Sequence, residues 1–296
     1  MPNSIICATS QRNRFARKPA TEFSVPEHQF RIGAVPDFYC RPVIFGLQQP
    51  ESPASAGLSF ESAGVNTERI LSDERDAAMI GPVEFARNSS DFSLYPSVGV
   101  SSRGESRASV LCVNKKVRSI ASVAVGAVSS SDIILAKIIL SEKFEQDAVI
   151  VPVIAPVRQM LLKADAALLT GNAMLTSDWD GPALDLVDEW SDMTDLPFIH
   201  LLCAARKEKY KKDITSLLLG SQELGTASLS TIAAQQAKEL SLPAELMEQR
   251  LEGYTYGFDD EAREGLGEFF RYAFYHGILP DVPEIEVFGE GDVESG

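Results

Sequence analysis

Short apolar runs of strand length alternate along this chain with longer stretches of helical period. Residues 30–35 alternate large apolar with small or polar side chains and stop at Pro36, as a strand does. Residues 42–47 read as the opening turns of a helix, with Pro42 tolerated at its start, and residues 50–57 read as loop. Residues 76–80 predict a strand that turns through Gly81 and Pro82 into a short helix ending at Arg87. Residues 98–100 and 109–113 predict two strands around a polar loop, 101–107. Strands follow at 120–125, 149–154 and 166–169, with helices at 133–142 and 157–163. A long apolar strand covers 196–204, and the remainder is helical at 209–219, 228–240, 243–251 and 260–276.

Strands alternating with helices predict an α/β protein with mainly parallel sheets. The C-terminal helices have no strands of their own, so they must pack on an earlier sheet. The chain therefore leaves a domain and later returns to it. A length of 296 residues suits two domains. Residues 1–28 read as a flexible leader, and the acidic tail from residue 284, ending in 291–296, is expected to fray.

Composition narrows the function classes. With 45% hydrophobic and 23% charged residues the chain is an ordinary globular protein. A net charge of -15 disfavours a nucleic-acid partner, while a small anion can still be bound locally. Cys7, Cys40, Cys112 and Cys203 form no CxxC pair, so no metal site is implied and buried reduced thiols in a cytoplasmic protein are expected. Arg12, Arg14, Arg17 and Lys18 are not followed by an apolar stretch, so no secretory signal is visible. The longest apolar run, 149–157, is too short to span a membrane.

Three loops at strand ends carry candidate chemistry. Ser129, Ser130, Ser131 and Asp132 sit between a strand and a helix, where free N–H groups and hydroxyls make an anion pocket; an ordinary helix cap has the same residues. Gly171 and Asn172 follow a buried strand as a ligand loop or a plain turn. Asp37, Tyr39 and Arg41 follow the first strand, and Arg41 could pair with a substrate carboxylate or with a surface acid. His200 reads as a core histidine and His276 as a helix-end partner, with His28 isolated. GxSxG, HExxH, GxGxxG and P-loop patterns are absent.

The order of these segments resembles the menaquinone-biosynthesis MqnA/MqnD family. The resemblance rests on 31–35 with 42–47, on Asp76 to Phe85, on the Ser-rich turn in 126–140, on Asp165 to Leu175, and on Asp185 to Trp190 with Thr194 to Phe198. Residues 269–280 complete it, so it spans roughly 30 to 287. It implies a type II periplasmic-binding-protein-like fold: two α/β lobes, a ligand cleft and two crossover strands. Lobe 1 is expected at 29–113 plus 206–290 and lobe 2 at 114–205, with crossovers near Cys112 and Cys203.

The branch most similar to this chain is chorismate dehydratase, which implies loss of water from chorismate with no cofactor. In that branch the substrate's enolpyruvyl carboxylate takes the C3 proton while an Asn and a Ser hold the C4 hydroxyl. Here Tyr39 stands where the family has the Asn, Asn172 replaces an Asp, and a one-residue offset makes Ser109 the equivalent of the Ser. The resemblance thus implies Tyr39 and Ser109 as catalytic, and Arg41, Ser129, Ser130, Ser131, Asp132, Gly171 and Asn172 as substrate-binding. A non-catalytic binder of small carboxylates is the alternative on the same fold. The sister enzyme, which cleaves cyclic dehypoxanthinyl futalosine, would want a histidine base in the cleft.

Overall fold

The computed structural model describes residues 30–50 and 56–289. The expected leader with Cys7 and His28, and the tail end 291–296, lie outside the described residues. The chain opens with β1 (Phe30–Ala34), α1 (Arg41–Ile44), β2 (Ala56–Phe60), α2 (Ala63–Leu71), β3 (Ala77–Ile80), α3 (Pro82–Arg87) and β4 (Phe92–Ser102). It continues with β5 (Ser109–Val113), β6 (Ser122–Val125), α4 (Ser130–Phe144), β7 (Val149–Pro152), α5 (Val157–Met160) and β8 (Ala166–Thr170). Next come α6 (Gly171–Leu175), β9 (Ala183–Asp185), α7 (Leu186–Thr194) and β10 (Phe198–Arg206). The chain closes with α8 (Lys212–Thr226), α9 (Leu229–Leu240), α10 (Ala244–Glu252), β11 (Tyr254–Tyr256) and α11 (Asp260–Tyr275).

Two sheets organise these elements, one ordered β11-β4-β10-β3-β1-β2 and the other β7-β6-β8-β5-β9. The chain does leave the first sheet and return to it, but the C-terminal helices are not without a strand: β11, between α10 and α11, pairs with β4 at the sheet's edge. The sheets are mixed rather than mainly parallel. β10 runs antiparallel to β3 and β4, and β5 runs antiparallel to β8 and β9. These strands enter or leave a lobe directly, so no helical crossover forces them parallel.

The exchange points also differ from expectation. Cys112 lies inside β5 of the second sheet and Cys203 inside β10 of the first, so the chain crosses at 103–108 and 195–197. Polar loops make the crossing because their backbone groups need no ladder partner. Cys40, Cys112 and Cys203 are buried free thiols, packed as small apolar groups.

β2 begins inside the stretch read as loop, 50–57, and α2 falls where the sequence reading assigned no element. Ser62 caps α2 by accepting from the Val65 N–H, but the buried face of the helix includes Asn66 and Thr67. Asn66 donates to the Ala34 and Met79 carbonyls, filling a buried position with a polar residue that hides the apolar stripe. α4 is clearer: Ser129 caps it, Glu145 closes it in the left-handed region, and Ile134, Leu135, Ile138 and Ile139 are buried. These side chains join Ile80, Val83 and Phe85 in one apolar cluster that runs from lobe 1 into lobe 2.

The acidic tail does not fray at its start. The Leu94 N–H donates to the Glu286 carbonyl, the Phe288 N–H donates to the Leu94 carbonyl, and the Phe288 ring stacks on Tyr210 at 4.5 Å. At the same end of the sheet Asp76 accepts from Arg31 and Lys211, which hold its carboxyl down to about 2 against the opposing effect of burial. A depressed carboxyl contributes stability above its unfolded value and loses it as pH falls. Wild type is therefore expected to lose unfolding free energy between about pH 4 and pH 2 more steeply than Asp76→Asn, measured by urea titration.

Candidate active site between the lobes

A cavity of about 480 Å³ opens between the lobes. Lobe 1 supplies Asp37, Tyr39, Glu84 and His200; lobe 2 supplies Ser129 to Asp132 and Thr170. Tyr39 sits in the 3-10 turn Phe38–Cys40 that follows β1. Its ring is buried, stacked on Tyr254 at 5.5 Å and 5.3 Å from the His200 ring. Burial pushes its phenol well above the ordinary value, with Asp37 and Asp132 adding to the effect, so it is a neutral donor. Asp37 has its own pKa raised by burial, against the lowering effect of the Asn172 N–H and of the nearby Tyr39 hydroxyl.

Asp132 occupies the first turn of α4. Its N–H donates to Ser129 Oγ, and Ser129 Oγ–H donates to its carboxyl at 2.6 Å. Burial raises its pKa to about 6; the Ser129 and Ser109 hydroxyls oppose that shift, and the Asp37 and Glu84 carboxyls reinforce it. Ser109, at the start of β5, is fully buried and faces Asp132 without a well-formed hydrogen bond of its own. Tyr39, Ser109 and Asp132 therefore converge, two hydroxyls beside one carboxyl that takes up a proton easily.

Other expected site residues have different work. Ser130 lines the cavity, whereas the Ser131 hydroxyl accepts from the Val83 N–H and ties α4 to α3 across the lobes. Arg41 is a correction. It lies 3.6 Å from Glu239 and 4.7 Å over the Phe60 ring, because two residues beyond Tyr39 a helical turn projects to the opposite side. Asn172 is a second correction: its carboxamide is consumed between the lobes. It accepts from the Phe38 N–H at 3.0 Å and donates to the Pro36 carbonyl at 3.1 Å, while its own N–H donates to Asp37 at 3.2 Å. Gly171, at φ +50, allows this clasp, since a Cβ there would lie 2.0 Å from Asp37 Oδ1.

His200 is the buried, hydrogen-bonded histidine that the apolar strand predicts, and it also faces the cavity. Its Nε2 is 2.7 Å from Ser102 Oγ, and burial drives its pKa down to about 3, so it stays neutral. His276 ends α11 and pairs with Glu142 at 2.8 Å. Glu84 escaped sequence reasoning. The available signal was an acid inside the apolar run from Gly81 to Phe85, where a solvated charge is out of place. Among the described residues no Lys or Arg lines the cavity. Among the described residues no group of His, Cys, Asp or Glu has the arrangement to hold a metal ion, and no helix is long and apolar enough to cross a membrane.

A family profile described as menaquinone biosynthesis matches residues 30–275. The fold is similar to that of protein AF1704 from Archaeoglobus fulgidus, with 17% identity and a TM-score of 0.64, covering 84% of this chain and 98% of that one. It is also similar to the periplasmic aliphatic sulphonate binding protein SsuA from Escherichia coli, with 16% identity and a TM-score of 0.59 over 86% and 90% of the two chains. A Candida albicans protein, CA3427, described as having the generic periplasmic binding protein fold, matches at 11% identity and TM-score 0.53 over 88% and 98%. The architecture is thus the periplasmic-binding-protein fold.

Proposed function

Because the chain belongs to the menaquinone-biosynthesis family, we propose that its cleft dehydrates chorismate to 3-[(1-carboxyvinyl)oxy]benzoate. One observation carries this reading: Tyr39 and Asp132 line one cavity between the lobes at the N-terminus of α4, with the Ser109 hydroxyl buried behind the Asp132 carboxyl. A proton leaves C3 and hydroxide leaves C4, and the ring becomes aromatic, which supplies driving force without a strong base. The tasks left to the protein are orientation and help for the departing hydroxide.

The residues suit those tasks. The Ser130 and Ser131 N–H groups, ahead of the Asp132 N–H that Ser129 caps, are donors for one substrate carboxylate. Tyr39 and Ser109 offer hydroxyl hydrogen bonds to the C4 oxygen, and Asp132 can hand it a proton. Chorismate in the cytoplasm is the partner on this reading.

The test is direct: purified protein incubated with chorismate should yield the benzoate product by chromatography. Binding without turnover would favour a small-carboxylate binding protein instead. A third outcome, cleavage of cyclic dehypoxanthinyl futalosine, would want a histidine base; His200 lines the cavity, but burial holds its pKa down at about 3, which makes it a weak one. Ser109→Ala is expected to lower kcat about 10²-fold with KM little changed, because its bond to a leaving oxygen strengthens in the transition state. Equal kcat in both proteins would remove Ser109 from the chemistry.

A further inference from the structure

We infer that Glu84 is the acceptor for a hydroxyl on the bound acid, and so separates a hydroxylated substrate from its dehydrated product. Glu84 lies in the first turn of α3, nine-tenths buried, and its carboxyl lines the cavity beside Gly81, Ser131 and Asp132. The carboxyl folds back over Gly81. A side-chain carbon at Gly81 would come within 2.5 Å of Glu84 Oε2 and 2.9 Å of Ser131 Oγ. Oε2 is buried with no hydrogen-bond partner, although Ser131 Oγ is close by and engaged with the Val83 N–H.

A buried acceptor without a donor is costly, and a ligand donor removes that cost. Among the described residues no lysine or arginine lines the cavity to supply one. The unpartnered atom is an acceptor, so a ligand carboxylate gives it no donor, and a hydroxyl is the group that fits this wall. The identity of that hydroxyl rests on the dehydratase reading: the C4 hydroxyl of chorismate is lost in the reaction, so the product forfeits the contact and its release is favoured. Glu84 is on this account a specificity residue. It works by holding the substrate hydroxyl in register, whereas the proton transfer belongs to Asp132.

The test needs no turnover. Benzoate, 3-hydroxybenzoate and 4-hydroxybenzoate are titrated calorimetrically into wild type, Glu84→Met and Glu84→Gln, with melting temperatures recorded alongside. Wild type is expected to bind one hydroxybenzoate about tenfold or more tighter than benzoate. Glu84→Met should abolish that preference while leaving benzoate affinity nearly unchanged. The isosteric Glu84→Gln, a weaker acceptor, should shrink the preference at least about threefold, which keeps the test open if the methionine variant fails to fold. A purely structural role would shift melting temperature without touching the preference. Equal binding of all three acids to wild type, or a preference that survives substitution, overturns the inference. Chorismate conversion with no hydroxyl preference refutes Glu84 alone; a hydroxyl preference without conversion refutes the dehydratase reading alone.

Discussion

Replacing Asp132 by asparagine is expected to lower kcat on chorismate by about 10²–10⁴-fold, the range typical of losing a positioned general acid. Burial holds its carboxyl near 6, and the Asp37 and Glu84 carboxyls push in the same direction, so a proton is available to the departing hydroxide. The proton that leaves C3 for the substrate's own carboxylate restores Asp132 afterwards, and one water is released with no external acid consumed. As pH rises through about 6 the acid form is lost and wild-type kcat should fall, whereas the asparagine variant should show a flat profile. Stability moves with the same group. The folded protein holds this proton more firmly than the unfolded chain, so Asp132 lowers stability as pH rises from about 4 to 6, by up to about 3 kcal/mol. Asp132→Asn should therefore melt higher than wild type at pH 7. A variant with wild-type kcat, or with a pH profile parallel to wild type, would remove the acid role.

The second large effect is expected from Gly171→Ala. The added Cβ would meet Asp37 Oδ1 at 2.0 Å in a backbone at φ +50, so the clasp formed by Asn172 with Pro36, Asp37 and Phe38 must break. Backbone strain of this kind costs about 1–3 kcal/mol, which corresponds to a fall in Tm of roughly 2–8 °C. Loss of the three cross-lobe hydrogen bonds also frees the lobes to part, so ligand affinity should weaken along with Tm. Asn172→Ala removes two of the three bonds without the steric clash and should fall between the variant and wild type. An unchanged Tm and an unchanged Kd for Gly171→Ala would show that the clasp contributes nothing.

What the sequence disclosed follows from how each residue is paid attention to by local pattern. Period and punctuation are enough for β1, β3, α4, β8 and β10, whose apolar runs end at proline, glycine or a serine cap. α2 was invisible because Asn66 and Thr67 occupy its buried face, and their compatibility with that face depends on carbonyls from β1 and β3. The anion-type turn at Ser129 to Asp132 was legible because a cap is a local structure. The directions of Arg41 and Asn172 are set by tertiary partners that no local pattern shows: Arg41 turns with α1 toward Glu239 and Phe60 of its own lobe, and Asn172 is claimed by Pro36 and Phe38 of the other. That His200 faces the cavity could not be read from a strand pattern, since the face that β10 turns to the cavity is set by its antiparallel neighbours.

Splitting lobe 1 across the chain has a temporal consequence. The second sheet is assembled wholly from residues between β5 and β9, so during synthesis it can form while everything beyond it is still being made. The first sheet has β10 at its centre, flanked by β3 and β4, and cannot close until that strand emerges more than a hundred residues after β3. Pairings of such wide separation are slow to form. Pulse-labelled hydrogen exchange should accordingly find amides of β6 and β8 protected before those of β1 and β3, with an exposed half-sheet as the stage most open to aggregation.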